Sequence, residues 1–386
     1  MTPASKLRVV HCIYDDPRNP WVGGGGAVRV FEIYRRLTSD VAATVVTGSF
    51  PGARDEVVDG VRYMRVGART PYAWSRLSYA RAATRLLRRA KYDAAVFDFS
   101  TYTPLMLPAD RPVGVTVHHA ASEGARERWG PLASFALDRV ERSILRPVRW
   151  FTATTPSTLA WLEPRLSSGA QTMIVEAGVP DELFTLERRP ENYVLYFGRL
   201  DVAHKGLDTL LAAMAILARD RPDVSLRIAG RGRDSARLHA MVRALGLERH
   251  VRILGPVPEA ERQALFAGAL VVVMPSRFEG FGLVAAEAMA AGIPLVASEI
   301  GALRDVVGTG GVLVPPDDAP ALANAVAALL DDAGARERMS LAARSAADRF
   351  RWDRVAAQHL AFLRRLAAST DVAPEDASHM HASERA

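Results

Sequence analysis

The chain has 386 residues, 49% of them hydrophobic and 24% charged, with a mean hydropathy of +0.02, a composition that describes a globular protein long enough for two domains with separate cores. No leader-type apolar segment is expected, because Lys6, Arg8, His11, Asp15 and Asp16 interrupt the only candidate; the apolar run 264–275 is too short to span a bilayer, so the expected location is cytoplasmic. The formal net charge of +6 comes from arginine, since Lys6, Lys91 and Lys205 are the only lysines among 49 basic residues; such a bias reads as GC-rich coding and, without an aromatic-and-basic RNA-binding signature, gives no ground for a nucleic-acid partner.

The first predicted strand, 7–13, carries the single cysteine, Cys12, expected as a buried inert thiol with no disulfide partner. Residues 15–22 lead to four glycines, 23–26, and to a helix over 27–37 in which Val30, Ile33, Tyr34 and Leu37 recur at helical spacing. Glycines between a strand and a helix N-terminus allow backbone to approach a phosphate, with a plain flexible turn as the alternative, and the spacing is not the dinucleotide fingerprint. Strands over 44–47, 61–66, 94–97 and 113–117 and a helix over 75–90 continue the alternation of a doubly wound parallel sheet. In that helix Tyr79, Ala83, Leu86, Leu87 and Ala90 form an apolar stripe beside Arg81, Arg85, Arg88 and Arg89. A solvated surface helix is the plain reading, and peripheral contact with an anionic membrane or acceptor is the second. The strand 113–117 ends at His118-His119, where ligands of such sheets collect. Adjacent histidines without a third ligand do not make a metal site.

A helix over 132–145 ends at Pro147, a strand follows at 150–154, and Thr155 caps a helix starting at Pro156. The polar stretch 187–192 marks a domain boundary, which gives domains at 1–187 and 188–350, a last helix at 351–368, and a polar tail at 369–386 expected to be disordered. The second strand series runs 193–197, 224–229, 251–254, 270–274 and 294–297, with later helices over 319–330 and 335–350. Arg199 and Lys205 flank the loop after its first strand, where two cations can neutralise a diphosphate leaving group, with two plain surface cations as the alternative. Gly230-Arg231-Gly232 reads as a tight turn.

The second series centres on Arg277-Phe278-Glu279-Gly280-Phe281-Gly282-Leu283 and the small-residue helix carrying Glu287. A buried strand, a glycine-bearing loop and an open helix N-terminus offer an anion or polyol site, and two carboxylates eight residues apart suit a ligand with many hydroxyls. This stretch resembles the Glu-x7-Glu motif of the retaining glycosyltransferases of family 4. A second match is Phe197-Gly198-Arg199-Leu200-Asp201 with Lys205-Gly206-Leu207-Asp208-Thr209-Leu210.

The resemblance implies an α/β protein of the GT-B fold: two doubly wound Rossmann-like domains facing a cleft, with the C-terminal helix crossing back to the first. It implies a nucleotide-diphosphate sugar as co-substrate, UDP-linked first and GDP-linked next, with no other cofactor and no obligatory metal. His118 then contacts the transferred sugar, with His119 as the alternative, and Gly24 and Gly25 lie near diphosphate and acceptor. Arg199 and Lys205 hold the diphosphate, while Glu279 and the backbone of Gly280, Phe281, Gly282 and Leu283 hold the sugar. Glu287 accepts from the ribose hydroxyls, and Arg252, Ile253 and the turn 255–257 occupy the nucleobase region. The acceptor, a hydroxyl on a glycan, a lipid or a small natural product in bacterial glycoconjugate or natural-product biosynthesis, is read by first-domain loops such as 71–75 and 120–131. A GT-B epimerase or phosphorylase and a silent nucleotide-sugar-binding protein are the competing readings.

Overall fold

The computed structural model describes residues 5–21, 24–100, 107–108, 111–118 and 121–369. His119 and the tail after Ser369 lie outside those residues.

The first half of the chain builds β1 (Leu7–Cys12), α1 (Gly25–Arg36), β2 (Val41–Gly48), β3 (Glu56–Val58), β4 (Val61–Val66) and α2 (Tyr72–Arg89). It continues with β5 (Ala94–Asp98), β6 (Val113–Val117), α3 (Ala121–Leu145), β7 (Trp150–Ala153), α4 (Pro156–Leu162) and β8 (Gln171–Ile174). These strands form one sheet in the order β3-β4-β2-β1-β5-β6-β7-β8, parallel except where β3 runs against β4. Strands such as Val113–Val117 are buried along their whole length, as the near-continuous apolar runs of a sheet covered on both faces require. Val30, Ile33 and Tyr34 of α1 cover one face, and Tyr79, Ala83 and Leu87 of α2 cover the other.

The second sheet is wholly parallel. It is built from β9 (Val194–Phe197), α5 (Val202–Lys205), α6 (Leu207–Asp220), β10 (Leu226–Ala229), α7 (Ser235–Ala244), β11 (Val251–Gly255) and α8 (Glu259–Gly268). There follow β12 (Val271–Met274), α9 (Leu283–Ala290), β13 (Leu295–Ser298), α10 (Gly301–Val307), β14 (Val312–Val314), α11 (Ala319–Asp331) and α12 (Ala333–Ala347). The strand order is β11-β10-β9-β12-β13-β14.

The last helix, α13 (Trp352–Ala368), leaves the second sheet and packs on α1. Its Val355, Phe362, Leu363 and Leu366 are buried in the first domain's core, each contributing roughly 1.5–3 kcal/mol of apolar burial. The outgoing and returning segments meet: Val179 bridges Arg351, and the Val179 N–H donates to the Phe350 carbonyl at 3.0 Å. A further tie runs from the Ser157 N–H at the start of α4 to the Asp305 carboxylate on α10, at 2.6 Å.

Two stretches expected as acceptor loops are helical. Residues 72–75 form the first turn of α2 behind Pro71. Helix also starts at Ala121, ahead of the expected residue 132, and is interrupted at Gly130, where φ is 84°. The break is local: Pro131 has no N–H for the preceding turn and disfavours helical geometry at residue 130, yet serves well as the first residue of the next helical segment.

Candidate active site

Ligand crevices of doubly wound sheets form where the strand order reverses, beyond the carboxyl ends of the strands. In the first sheet that point lies between β1 and β5, and in the second between β9 and β12. The carboxyl ends of these strands and the segments leaving them carry the glycine loop, Asp98, Arg199 and the loop with Glu279.

A cavity of about 850 Å³ lies between the two domains, within the size range of small-molecule sites. Gly24, Gly25 and His118 line it from the first domain, and Arg199, Gly280, Phe281, Leu283 and Glu287 from the second. An adjoining cavity of about 240 Å³ is lined by Arg199, Lys205, Ser276, Glu279, Phe281, Gly282 and Leu283. The two share Arg199, Phe281 and Leu283. Of the residues expected from sequence, Arg252 and Ile253 are not brought here. They sit within β11, an edge strand two places from β9, where Arg252 is exposed and Ile253 packs on the second domain's core.

Glu279 is held by an ion pair with Lys205 and by the Ser276 hydroxyl, which donates at 2.9 Å. Lys205 reaches it because α5 ends at Gly206, with φ at 59°, where any side chain would collide with the Pro275 carbonyl. Arg277 ties the same loop to α5: its backbone N–H donates to the His204 carbonyl at 2.9 Å and its guanidinium to the Ala203 carbonyl at 3.0 Å. It also pairs with Asp208 at 2.9 Å. Gly282 caps α9 at φ 96° with no side-chain hydrogen bond, which leaves the first N–H groups of the helix open to a ligand.

Glu287 faces the larger cavity and pairs with Arg262 at 2.6 Å. Burial pushes its carboxyl above the ordinary range, and Arg262 opposes that shift.

On the facing wall, the His118 Nε2–H donates to one Asp98 oxygen at 2.9 Å and the His11 Nε2–H to the other at 3.0 Å. Burial alone would raise Asp98, but His118 and His11 outweigh it and hold the carboxyl well below its usual range. Behind His11 the chain of contacts continues through the Tyr34 hydroxyl at 2.9 Å to His359 Nε2 of α13 at 3.2 Å. Burial keeps His359 neutral and Tyr34 a phenol. A consistent proton assignment then has His359 donating to Tyr34, Tyr34 to His11, and both flanking histidines to Asp98. Asp15, also in the cavity wall, is raised by burial against the opposing fields of Arg76 and His118.

Asp98, His11, Asp15 and Arg262 were not singled out from sequence. Asp98 left one trace: it closes β5 as His118 follows β6, and adjacent parallel strands place such ends side by side. Among the described residues no group of three or more histidine, cysteine, aspartate or glutamate side chains could hold a metal ion.

Residues 23–183 match the family model described as Glycosyltransferase Family 4, and residues 183–346 that of Glycosyl transferases group 1. Phosphatidyl-myo-inositol mannosyltransferase of Mycobacterium leprae is 43% identical over 168 residues, covering 43% of this chain and 44% of that protein. MMP alpha-(1->4)-mannosyltransferase of Mycolicibacterium hassiacum is 33% identical over 265 residues, covering 65% of this chain and 64% of that one. These alignments take in less than two thirds of the relatives' own length. Among solved structures, sucrose-phosphate synthase from Thermosynechococcus elongatus superimposes with a TM-score of 0.78 at 24% identity, over 94% of this chain and 100% of that one.

Proposed function

We propose that this chain, which belongs to glycosyltransferase family 4 and has the GT-B fold, transfers a hexose from a nucleoside-diphosphate sugar to an acceptor hydroxyl with retention at the anomeric carbon. The observation that carries the reading is the gathering of Arg199, Lys205, the open N-terminus of α9, Glu279 and Glu287 around two adjoining cavities, with His118 opposite.

Arg199, Lys205 and the first N–H groups of α9 hold the diphosphate and take up its charge as the anomeric carbon–oxygen bond breaks. Glu287 accepts from the ribose hydroxyls, and Glu279 with the backbone of 280–283 holds the hexose. His118 meets the sugar from the first domain. The acceptor oxygen forms its bond to the anomeric carbon on the face the phosphate leaves, and its proton passes to a departing phosphate oxygen. Two cations serve the diphosphate, so the reaction needs neither metal nor further cofactor.

The donor is UDP-linked in the first place and GDP-linked in the second. The acceptor is a glycan, a lipid or a small natural product; two relatives named for mannosyl transfer, one to phosphatidyl-myo-inositol, put mannose and a lipid-borne hydroxyl at the head of the search. Peripheral contact with an anionic inner membrane surface is supported by α2, where Arg81, Arg85, Arg88 and Arg89 border an open groove with Leu77. Trp74 on α2 and Leu132 and Phe135 on α3 are exposed, at 49%, 85% and 62%, and such aromatic and apolar groups beside arginines suit a lipid interface. Among the described residues no helix is long and apolar enough to cross a membrane.

The test is a panel of UDP-, GDP-, ADP- and dTDP-linked hexoses, read by thermal shift and by slow donor hydrolysis without acceptor. The expected result is one donor that both stabilises the protein and is hydrolysed. Silence from every donor, with and without anionic vesicles, overturns the reading.

A further inference from the structure

We infer that Arg262 is the positioning residue for Glu287, and thereby sets how strongly the site distinguishes ribose from deoxyribose in the nucleotide; the inference rests on Glu287 binding the ribose. Arg262 is not part of the cavity wall, whereas Glu287 is. The pair meets at 2.6 Å with both side chains 13% exposed, so Arg262 supports the carboxylate from behind. The guanidinium is itself fixed. It lies 5.3 Å from the ring centres of both Phe197 and Phe266 and pairs with Glu259 at 2.9 Å. Phe197 closes β9, the strand that leads to Arg199, so the clamp on Glu287 is built into the element that presents the diphosphate site.

The ion pair engages Oε1 of Glu287, and the residue also lines the cavity. A carboxylate this enclosed keeps its charge only if a cation answers it. Without Arg262 the upward push of burial on the Glu287 carboxyl goes unopposed, and a carboxyl that takes up a proton loses the charge that makes it a strong acceptor for sugar hydroxyls. The other charged groups around Glu287 do not replace that cation. Glu259 on α8 repels it. Arg199, Asp181 and Glu182 share the wider cavity, and Arg344 of α12 is engaged on the carbonyls of Ala290 and Ala291 at the far end of α9.

The experiment measures affinity of the full chain for UDP, GDP and ADP and for their 2′-deoxy and 3′-deoxy forms from pH 5 to pH 9. Wild type should prefer the ribonucleotide by about tenfold or more, the worth of a hydrogen bond to a charged group. Arg262→Gln should lose that preference toward the acid end of the range and recover it only at a higher pH than wild type does. Arg262→Lys, which keeps a cation with shorter reach, should retain the preference with its pH midpoint moved upward from the wild-type value. An Arg262→Gln variant with the wild-type preference at every pH overturns the proposal. If that variant does not fold, Arg262→Lys decides alone, and an unmoved midpoint overturns it. Glu287→Gln separates the two levels: if it keeps the preference, or if wild type shows none, the ribose assignment itself falls and takes this proposal with it.

Discussion

Asp98 accepts from two histidines at once, His118 Nε2 at 2.9 Å on one oxygen and His11 Nε2 at 3.0 Å on the other. One histidine faces the cavity and the other is buried among β1, α1 and α13, so the carboxylate joins the candidate site to the core. Asp98→Asn keeps the shape and removes the charge that orients His118. Turnover should fall about 10- to 100-fold, the cost of a misplaced reacting group, with a smaller change in donor KM, as steady-state kinetics will check.

The same residue predicts a stability profile. A carboxyl whose folded value is depressed stabilises the fold at pH values above its unfolded value of about 4, and this contribution disappears as the pH falls through the folded value. The Tm gap between wild type and Asp98→Asn should therefore be full at neutral pH and shrink on acidification below about pH 4. A gap that is constant down to pH 2 contradicts the account of Asp98 as a carboxylate held by its two histidines.

Lys205 is paired with Glu279 and borders the cavity that holds Arg199. Lys205→Ala should lower turnover by at least about tenfold, since removing one charge partner of a leaving group costs a few kcal/mol. Wild-type turnover in that variant would refute the placement of the diphosphate.

The arginines of α2 can be tested apart from the chemistry. Replacing Arg81, Arg85 and Arg88 with glutamine should weaken binding to anionic vesicles by about 100-fold, at about 1 kcal/mol per arginine near the surface. Donor hydrolysis in solution should stay at the wild-type rate. Vesicle binding that does not change removes the membrane from the proposal.

Cys12 gives an independent check of the core. It is fully buried, and burial, followed by the field of Asp98, pushes its thiol up to about 12. Native protein should resist thiol reagents at pH 8 and label fully in denaturant. Fast native labelling would contradict the packing of β1.

Much of the architecture could be read from local pattern. The apolar runs at 113–117 and 270–274 are strands because both sheet faces are covered, and the glycines before α1 and α9 mark strand-to-helix turns at the crevice. Glu279, Glu287, Arg199 and Lys205 are visible because chain neighbours carry their pattern. Arg262 and Asp98 are not, because each acquires its partner only when separate elements pack. Arg252 and Ile253 lie apart from both cavities for a related reason: sequence distance from the motif does not say which strands end up at the sheet edge, and β11 does. The helical start at Ala121, ahead of the helix expected over 132–145, comes from Gly130-Pro131 dividing one helix into two segments rather than ending a loop.

The chain passes between the domains twice, once on leaving β8 and once on entering α13, and the bridge between Val179 and Arg351 lays the two passages side by side. The hydrogen bond from Ser157 on α4 to Asp305 on α10 is a third tie, made well away from those two passages in sequence. The wall that carries His118 and the wall that carries Glu287 are therefore fastened to each other at more than one point, and the cleft between them is a product of the packing of both domains rather than of the linkers alone.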